Sequence, residues 1–305
     1  MKTIMIFFLA LRSLTVCSQD YNIESHFKTE KTYHFTVKRA KIDSREPMSK
    51  DLAQLTQIEA SFTQHDKFMK CVWKYGETKA TGSEYLISRV GPEYNELINI
   101  YRGFEIEVLF DPYYGGIELL NYEKMKENIK DGLLKIYNNQ ITTIDSATMV
   151  LLNQQLEPTY STPEMLLSIY FPEITLYFSL YSRIFTKGVG IKSEYSYPNP
   201  FGGEAFPIIG KMSIDSANSN TLIIKNKEEA KQEEVNRILK NTLEKMSMLG
   251  TAPIDKEEMP DFTLISESYF YYDIQNKIIN KVLLEKRIEV SGITQTEILE
   301  INLIE

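Results

Sequence analysis

Phe262-Thr263-Leu264-Ile265-Ser266-Glu267-Ser268-Tyr269-Phe270-Tyr271-Tyr272 opens the most strand-like part of the chain. Val282-Leu283-Leu284-Glu285-Lys286-Arg287-Ile288-Glu289-Val290-Ser291-Gly292 continues it. Together with the residues after them they read as a three-stranded meander over about 262–272, 277–290 and 293–304. Asp273 to Asn276 supplies the first turn and Ser291-Gly292 a tight second one. Val282, Leu284, Ile288 and Val290 mark one face. Lys281, Glu285, Arg287 and Glu289 belong to the solvated side. Strands joined by such short turns pair antiparallel, so this end of the chain argues for an α+β fold rather than α/β.

The same period of two recurs toward the N-terminus. Tyr33, Phe35 and Val37 alternate with His34, Thr36 and Lys38. Strands over 55–63 and 68–76 flank the turn His65-Asp66-Lys67. Phe104, Ile106, Val108 and Phe110 alternate with Glu105, Glu107 and Leu109, and Asp111 to Gly116 turns the chain into a partner strand at Ile117 to Leu120. A helix follows, with Asn121 as its N-cap, Glu123 in its first turn, and Met125, Ile129, Leu133, Ile136 and Tyr137 on one face. Further strands are expected over 191–197, 206–215 and 220–226. A helix over 228–249 carries Val235, Ile238, Leu239, Leu243, Met246 and Leu249 as its apolar stripe, ended by Gly250 and Pro253.

The middle of the chain is helical and greasy. A short helix is expected over 146–156, and Thr162-Pro163-Glu164 opens another. Residues 163–185 are apolar enough to raise the question of a membrane span. Pro172 and Glu173 interrupt the run at its centre, where a carboxylate in hydrocarbon costs a few kcal/mol. Two packed helices or one kinked helix account for it, and no transmembrane span is expected in the mature chain.

The N-terminus reads as an export signal. Lys2 precedes an eight-residue apolar core, Ile4 to Leu11, which is too short to span a bilayer. Val16 and Ser18 occupy the −3 and −1 positions of a cut before Gln19. Residues 1–18 are therefore a signal peptide, and 19–305 form one intertwined domain with a sub-boundary available near 140–145. A rival reading makes Leu14-Thr15-Val16-Cys17 a lipobox, with Cys17 lipidated and the protein anchored to a membrane. The whole chain carries a net charge of −8. Cleavage removes Lys2 and Arg12 and no acid, so the mature protein is more acidic still. Such a chain does not suit nucleic acid or an anionic membrane surface. Only Cys71 would remain after cleavage, which rules out an intramolecular disulfide.

No motif for chemistry emerges. His26, His34 and His65 lack metal-ligand spacing, and there is no HExxH, CxxC, P-loop or nucleophile elbow. No cofactor is expected. Glu105 and Glu107 share a strand face, as a carboxylate pair would, and equally as the solvated side of a sheet would. Tyr113-Tyr114, Tyr269-Phe270-Tyr271-Tyr272 and Tyr195 with Tyr197 read first as cross-strand packing. The candidate ligand site is Tyr195 and Tyr197 with the loop Pro198, Asn199, Pro200, Phe201, Gly202 and Gly203. Two prolines fix its approach, and the glycine pair lets another group come close to the backbone.

The signal ending before Gln19, the strand–turn–strand–helix run from Gly103 to Tyr137 and the Tyr197-Pro198-Asn199-Pro200-Phe201-Gly202-Gly203 loop together resemble secreted proteins of Gram-negative bacteria that have no assigned activity. More loosely, antiparallel strands with a few apolar helices are similar to the curved half-barrel of periplasmic lipoprotein carriers. That likeness implies a ligand held between sheet and helices and transfers no residue. The expectation is a non-enzymatic, periplasmic or extracellular binding protein for an apolar or amphiphilic molecule. The alternatives are an envelope component that binds another protein, and a hydrolase with a non-sequential carboxylate site.

Export predicts a measurable N-terminus. Intact mass spectrometry of the protein secreted with its own leader should give a soluble species beginning at Gln19. A diacylated species beginning at Cys17, recovered only in detergent, would replace the cut before Gln19 with the lipobox.

Overall fold

The computed structural model describes residues 19–45, 53–81, 98–140, 156–197, 204–248, 262–290 and 292–304. Its strands are β1 (Asp20–Asn22), β2 (Thr32–Asp43), β3 (Ala53–His65), β4 (Phe68–Thr81), β5 (Glu105–Phe110) and β6 (Ile117–Leu119). Helix α1 (Tyr122–Gln140) follows, then α2 (Pro163–Tyr170) and α3 (Pro172–Phe178). The second half adds β7 (Ile184–Thr186), β8 (Ile191–Tyr197), β9 (Phe206–Ala217), β10 (Thr221–Ala230), α4 (Gln232–Met248), β11 (Phe262–Asp273), β12 (Ile278–Val290) and β13 (Ile293–Leu303).

Eleven strands form one open antiparallel sheet in the order β6-β5-β4-β3-β2-β13-β12-β11-β10-β9-β8. Most neighbours in the sheet follow one another in sequence, β10 and β11 being joined through α4. The exception is β2 with β13, which brings the two ends of the chain side by side (Phe35 opposite Leu303, Asp43 opposite Gln295). The expected meander is present over nearly its predicted bounds, as is the β3–β4 hairpin, whose turn residue Asp66 takes a left-handed φ of 52°. β1 and β7 make a separate two-stranded sheet.

Helices occupy one face of the sheet. Tyr33, Phe35 and Val37 of β2, Ile58, Ala60 and Phe62 of β3, and Cys71, Trp73 and Tyr75 of β4 turn inward and are buried. Thr162 accepts the Met165 N–H and Pro163 starts α2; Phe171 breaks the chain and Pro172 restarts it as α3. The greasy middle segment is thus two short helices. Among the described residues no helix is long and apolar enough to cross a membrane.

α3 is held down by polar contacts in a dry place. Glu173 is fully buried and meets Arg39 of β2 and the hydroxyl of Tyr75 of β4. Burial, with the Glu173 charge adding to it, pushes the Tyr75 hydroxyl well above its usual range, so it remains a donor. Beyond the last register pair of β13, Asn302 with Lys281, the backbone of Ile279 has lost its neighbour strand. Two tyrosines replace it: Tyr177 donates to the Ile279 carbonyl at 2.9 Å, and the Ile279 N–H donates to Tyr181 at 2.9 Å.

Two local expectations are corrected. Asn121 does not cap α1 with its side chain; its amide bonds the Glu107 N–H and the Glu105 carbonyl, extending the edge of β5. Residues 228–230 are strand, not helix, because β9 and β11 pair with them on both sides (Glu229 opposite Ile209 and Ile265). Met125 and Ile129 of α1 are buried in the main core, and Val235, Ile238 and Leu239 of α4 in a second cluster. Most of the 146–156 segment lies outside the described residues.

Glu173→Ala should destabilise the protein by about 3 kcal/mol, since it strands a largely desolvated guanidinium. The triple variant Arg39→Met, Tyr75→Phe, Glu173→Leu should recover most of that loss. Urea denaturation of both checks this; equal destabilisation of the two would assign the cost to packing rather than to the stranded charge.

Candidate functional site: a polar trough on the concave face

The helix-facing side of the sheet carries two apolar clusters. The larger joins β2–β6, α2, α3 and the inner ends of β10–β13. Here the space between sheet and helices is filled: Tyr177 lies 5.2 Å from Phe35 and 5.8 Å from Trp73 between ring centroids, and Phe178 lies 4.9 Å from Phe110. Most apolar side chains of the 163–185 segment are buried, while Ile169 and Ile184 are exposed. The smaller cluster joins Phe206, Ile208, Phe262 and Leu264 to Val235, Ile238 and Leu239 of α4.

Between the clusters the inward phase turns polar on consecutive strands. On β11 it runs Phe262, Leu264, Ser266, Ser268, Phe270, Tyr272, with all six buried. On β10 it runs Leu222, Ile224, Asn226, Glu228, Ala230, and on β12 Val282, Leu284, Lys286, Ile288, Val290. Register aligns these breaks. Asn226 stands opposite Ser268, and Glu228 opposite Ser266 and Gly210. Ser266 stands opposite Lys286, and Lys286 opposite Glu297. Gly210 matters for space, because a Cβ there would collide with the Ser193 hydroxyl.

The sheet curls over this floor. β8 and β12 are four strands apart, about 19 Å in a flat sheet. Yet Lys286 Nζ donates to Tyr197 Oη at 2.6 Å and lies 4.4 Å from the centre of its ring. Tyr197 faces inward with its register partner Phe206, so the contact spans β9–β11 as a strap. Tyr195, also inward on the exposed edge strand β8, reaches Glu228. Burial, then the Glu228 charge, pushes its hydroxyl well above the usual range, so it too stays a donor.

Among the described residues four side chains carry a buried polar atom without a partner, Ser25, Arg39, Trp73 and Asn226, and Asn226 is the one on the floor between the clusters. Its residue exposure is 6 %. Its amide nitrogen donates to Glu228 Oε1 at 2.8 Å, whereas its oxygen is buried without any partner. An orphaned buried acceptor costs about 1–3 kcal/mol, which a core built only for stability would have removed.

The structure brings Tyr195 and Tyr197 into this trough. Pro198, Asn199, Pro200, Phe201, Gly202 and Gly203 lie outside the described residues. The trough residues Asn226, Glu228, Ser266, Ser268 and Lys286 escaped sequence reasoning, though their signal was present: polar residues on the apolar phase of adjacent strands. Glu105 and Glu107 point outward, each beside a lysine of β4 (Lys74 at 3.6 Å, Lys70 at 2.6 Å). A cavity of about 370 Å³ lies on that outer face over the Gln57 bulge, lined by His34, Glu59 and Lys74. None of its lining atoms is a buried polar group without a partner. Among the described residues no group of His, Cys, Asp or Glu could hold a metal ion.

If the trough serves binding rather than folding, Ser266→Ala and Ser268→Ala should leave stability within about 0.5 kcal/mol, and Asn226→Leu should raise it by about 1 kcal/mol. Denaturation midpoints decide; losses above about 2 kcal/mol would make these residues structural. No protein-family model matches the chain, and no curated protein matches it, so the trough rests on its own geometry.

Proposed function

We propose that this is an exported, non-enzymatic binding protein that holds an amphiphilic ligand on the concave face of its sheet. The polar end of the ligand lies in the trough between the two clusters. Its apolar part rests on the half-buried rim of the smaller cluster, formed by Tyr197, Ile288 and Val290. The observation that carries this reading is the alignment of Asn226, Ser266 and Ser268, buried polar groups, across neighbouring strands of an otherwise apolar face. Polar groups of that kind are retained where something other than the fold uses them. A site of this design, apolar walls with a few fixed polar groups, is the usual form of a small-molecule site.

A second reading, an envelope component that binds another protein, is favoured by β8. This seven-residue strand is the sheet edge and is exposed along most of its length. An open edge of that kind accepts a further strand through main-chain hydrogen bonds.

Native mass spectrometry of residues 19–305 purified from a bacterial periplasm separates the two. An adduct released on denaturation and extractable into organic solvent is the expected result. A protein that remains free of adduct after incubation with total lipid extract would overturn the binding reading in favour of the second.

A further inference from the structure

The geometry points to the chemistry of the ligand's polar end: we propose that the trough recognises a hydroxyl-rich group, a sugar, through Asn226, Ser266 and Ser268. This rests on the binding reading above and narrows it. The buried Asn226 oxygen accepts and needs an O–H or N–H donor. Ser268, directly opposite it on β11, and Ser266, two residues along the same strand, are buried and carry hydroxyls that both donate and accept. A sugar hydroxyl does the same, so each floor group finds a complementary partner whichever way it turns.

Charge favours the same class. Along the row Glu228, Ser266, Lys286, Glu297, Lys41 the signs alternate and cancel, with Glu228 already accepting from Asn226 and Lys286 held by Tyr197. Glu228 and Lys286, the two charges beside the serines, are thus both engaged, which disfavours a charged head group there. Gly210, Ser266 and Ser268 are small where their neighbours on the same face are Ile208, Leu264 and Phe270. Tyr195 and Tyr197 stand beside this small-residue stretch as rings on which a sugar can stack. An extended peptide fits less well, because β9, β10 and β11 are paired on both sides and offer no free main-chain edge. Free saccharides and glycolipid head groups share the required chemistry.

Saturation-transfer NMR on residues 19–305 tests this with three probes. The first is a mixture of glucose, galactose, mannose, N-acetylglucosamine and maltose. The second is dodecyl maltoside below its micelle-forming concentration. The third is dodecyldimethylamine oxide, which keeps the chain and lacks hydroxyls. Transfer to sugar ring protons is expected. If free sugars show it, the ligand is a saccharide; if only the maltoside does, it is a glycolipid head. The triple variant Asn226→Leu, Ser266→Ala, Ser268→Ala should weaken sugar binding by about tenfold or more, the effect of losing one to two hydrogen bonds. It should leave transfer to alkyl protons unchanged. Transfer confined to alkyl protons in both detergents would overturn the sugar assignment and keep the amphiphile. Sugar transfer unaffected by the triple variant would overturn the trough as its place. No transfer from any probe would overturn both readings.

Discussion

Glu173 is a charge in a place without water, and the concave face is organised around neutralising it. It sits at the start of α3, one residue after Pro172, where the helix N-terminus favours a carboxylate. Arg39 comes from β2 and Tyr75 from β4, so a single side chain ties three elements that are distant in sequence. Arg39 is also on the strand that pairs with β13. The contact therefore stands at the joint where the first and last strands of the chain meet. Pairs of this kind contribute little net stability but exclude alternatives, because any other placement of α3 leaves a buried ion alone. The aromatic packing of Tyr177 and Phe178 follows from that placement.

Glu173 and Asn226 are answered differently by the protein around them. Both are polar groups on the helix-facing side of the same sheet. Glu173 has its charge and both oxygens answered by the protein. Asn226 has its nitrogen answered and its oxygen not. The Glu173 cluster is itself open at a donor, Arg39 Nε, whereas the open atom of Asn226 is an acceptor and lies between the two apolar clusters. Ser266 and Ser268 lie buried beside it. The aromatic side of the face, between α3 and β2–β5, keeps two such atoms of its own, Arg39 Nε and Trp73 Nε1, both donors set in close ring and ion-pair packing.

Much of the sheet was legible because period two survives in nearly every strand. Turn residues such as Asp66 and Gly292, both at positive φ, fix the hairpins locally. What was hidden is what depends on distant partners. Glu228-Glu229-Ala230 is a helix-favouring run, yet strands on both sides recruit it, and pairing outweighs propensity. Asn121 has the chemistry of a cap and spends it on the open edge of β5. The β2–β13 pairing joins residues more than 250 positions apart, with nothing local to announce it. The trough is an intermediate case. Lys286 interrupts the apolar phase of its strand in plain view, and so do Ser266, Ser268 and Asn226. Their meaning emerges only when register sets them side by side.

The N-terminus bears on which form of the ligand the trough can meet. Order begins at once: the Gln19 carbonyl accepts the Lys187 N–H at 3.0 Å, Asp20 opens β1, and Ile23 is fully buried. A lipid on Cys17 would leave only Ser18 and Gln19 before β1, a reach of about 10 Å at full extension. The β1–β7 corner would then be held against the bilayer, with no tether to let the body turn away. Strand β8 begins only a few residues after β7, so the first end of the trough's edge strand would be held near the membrane as well. In that arrangement a glycolipid head group is the form within reach. A cut before Gln19 removes the constraint, frees the corner and opens the same trough to soluble saccharides.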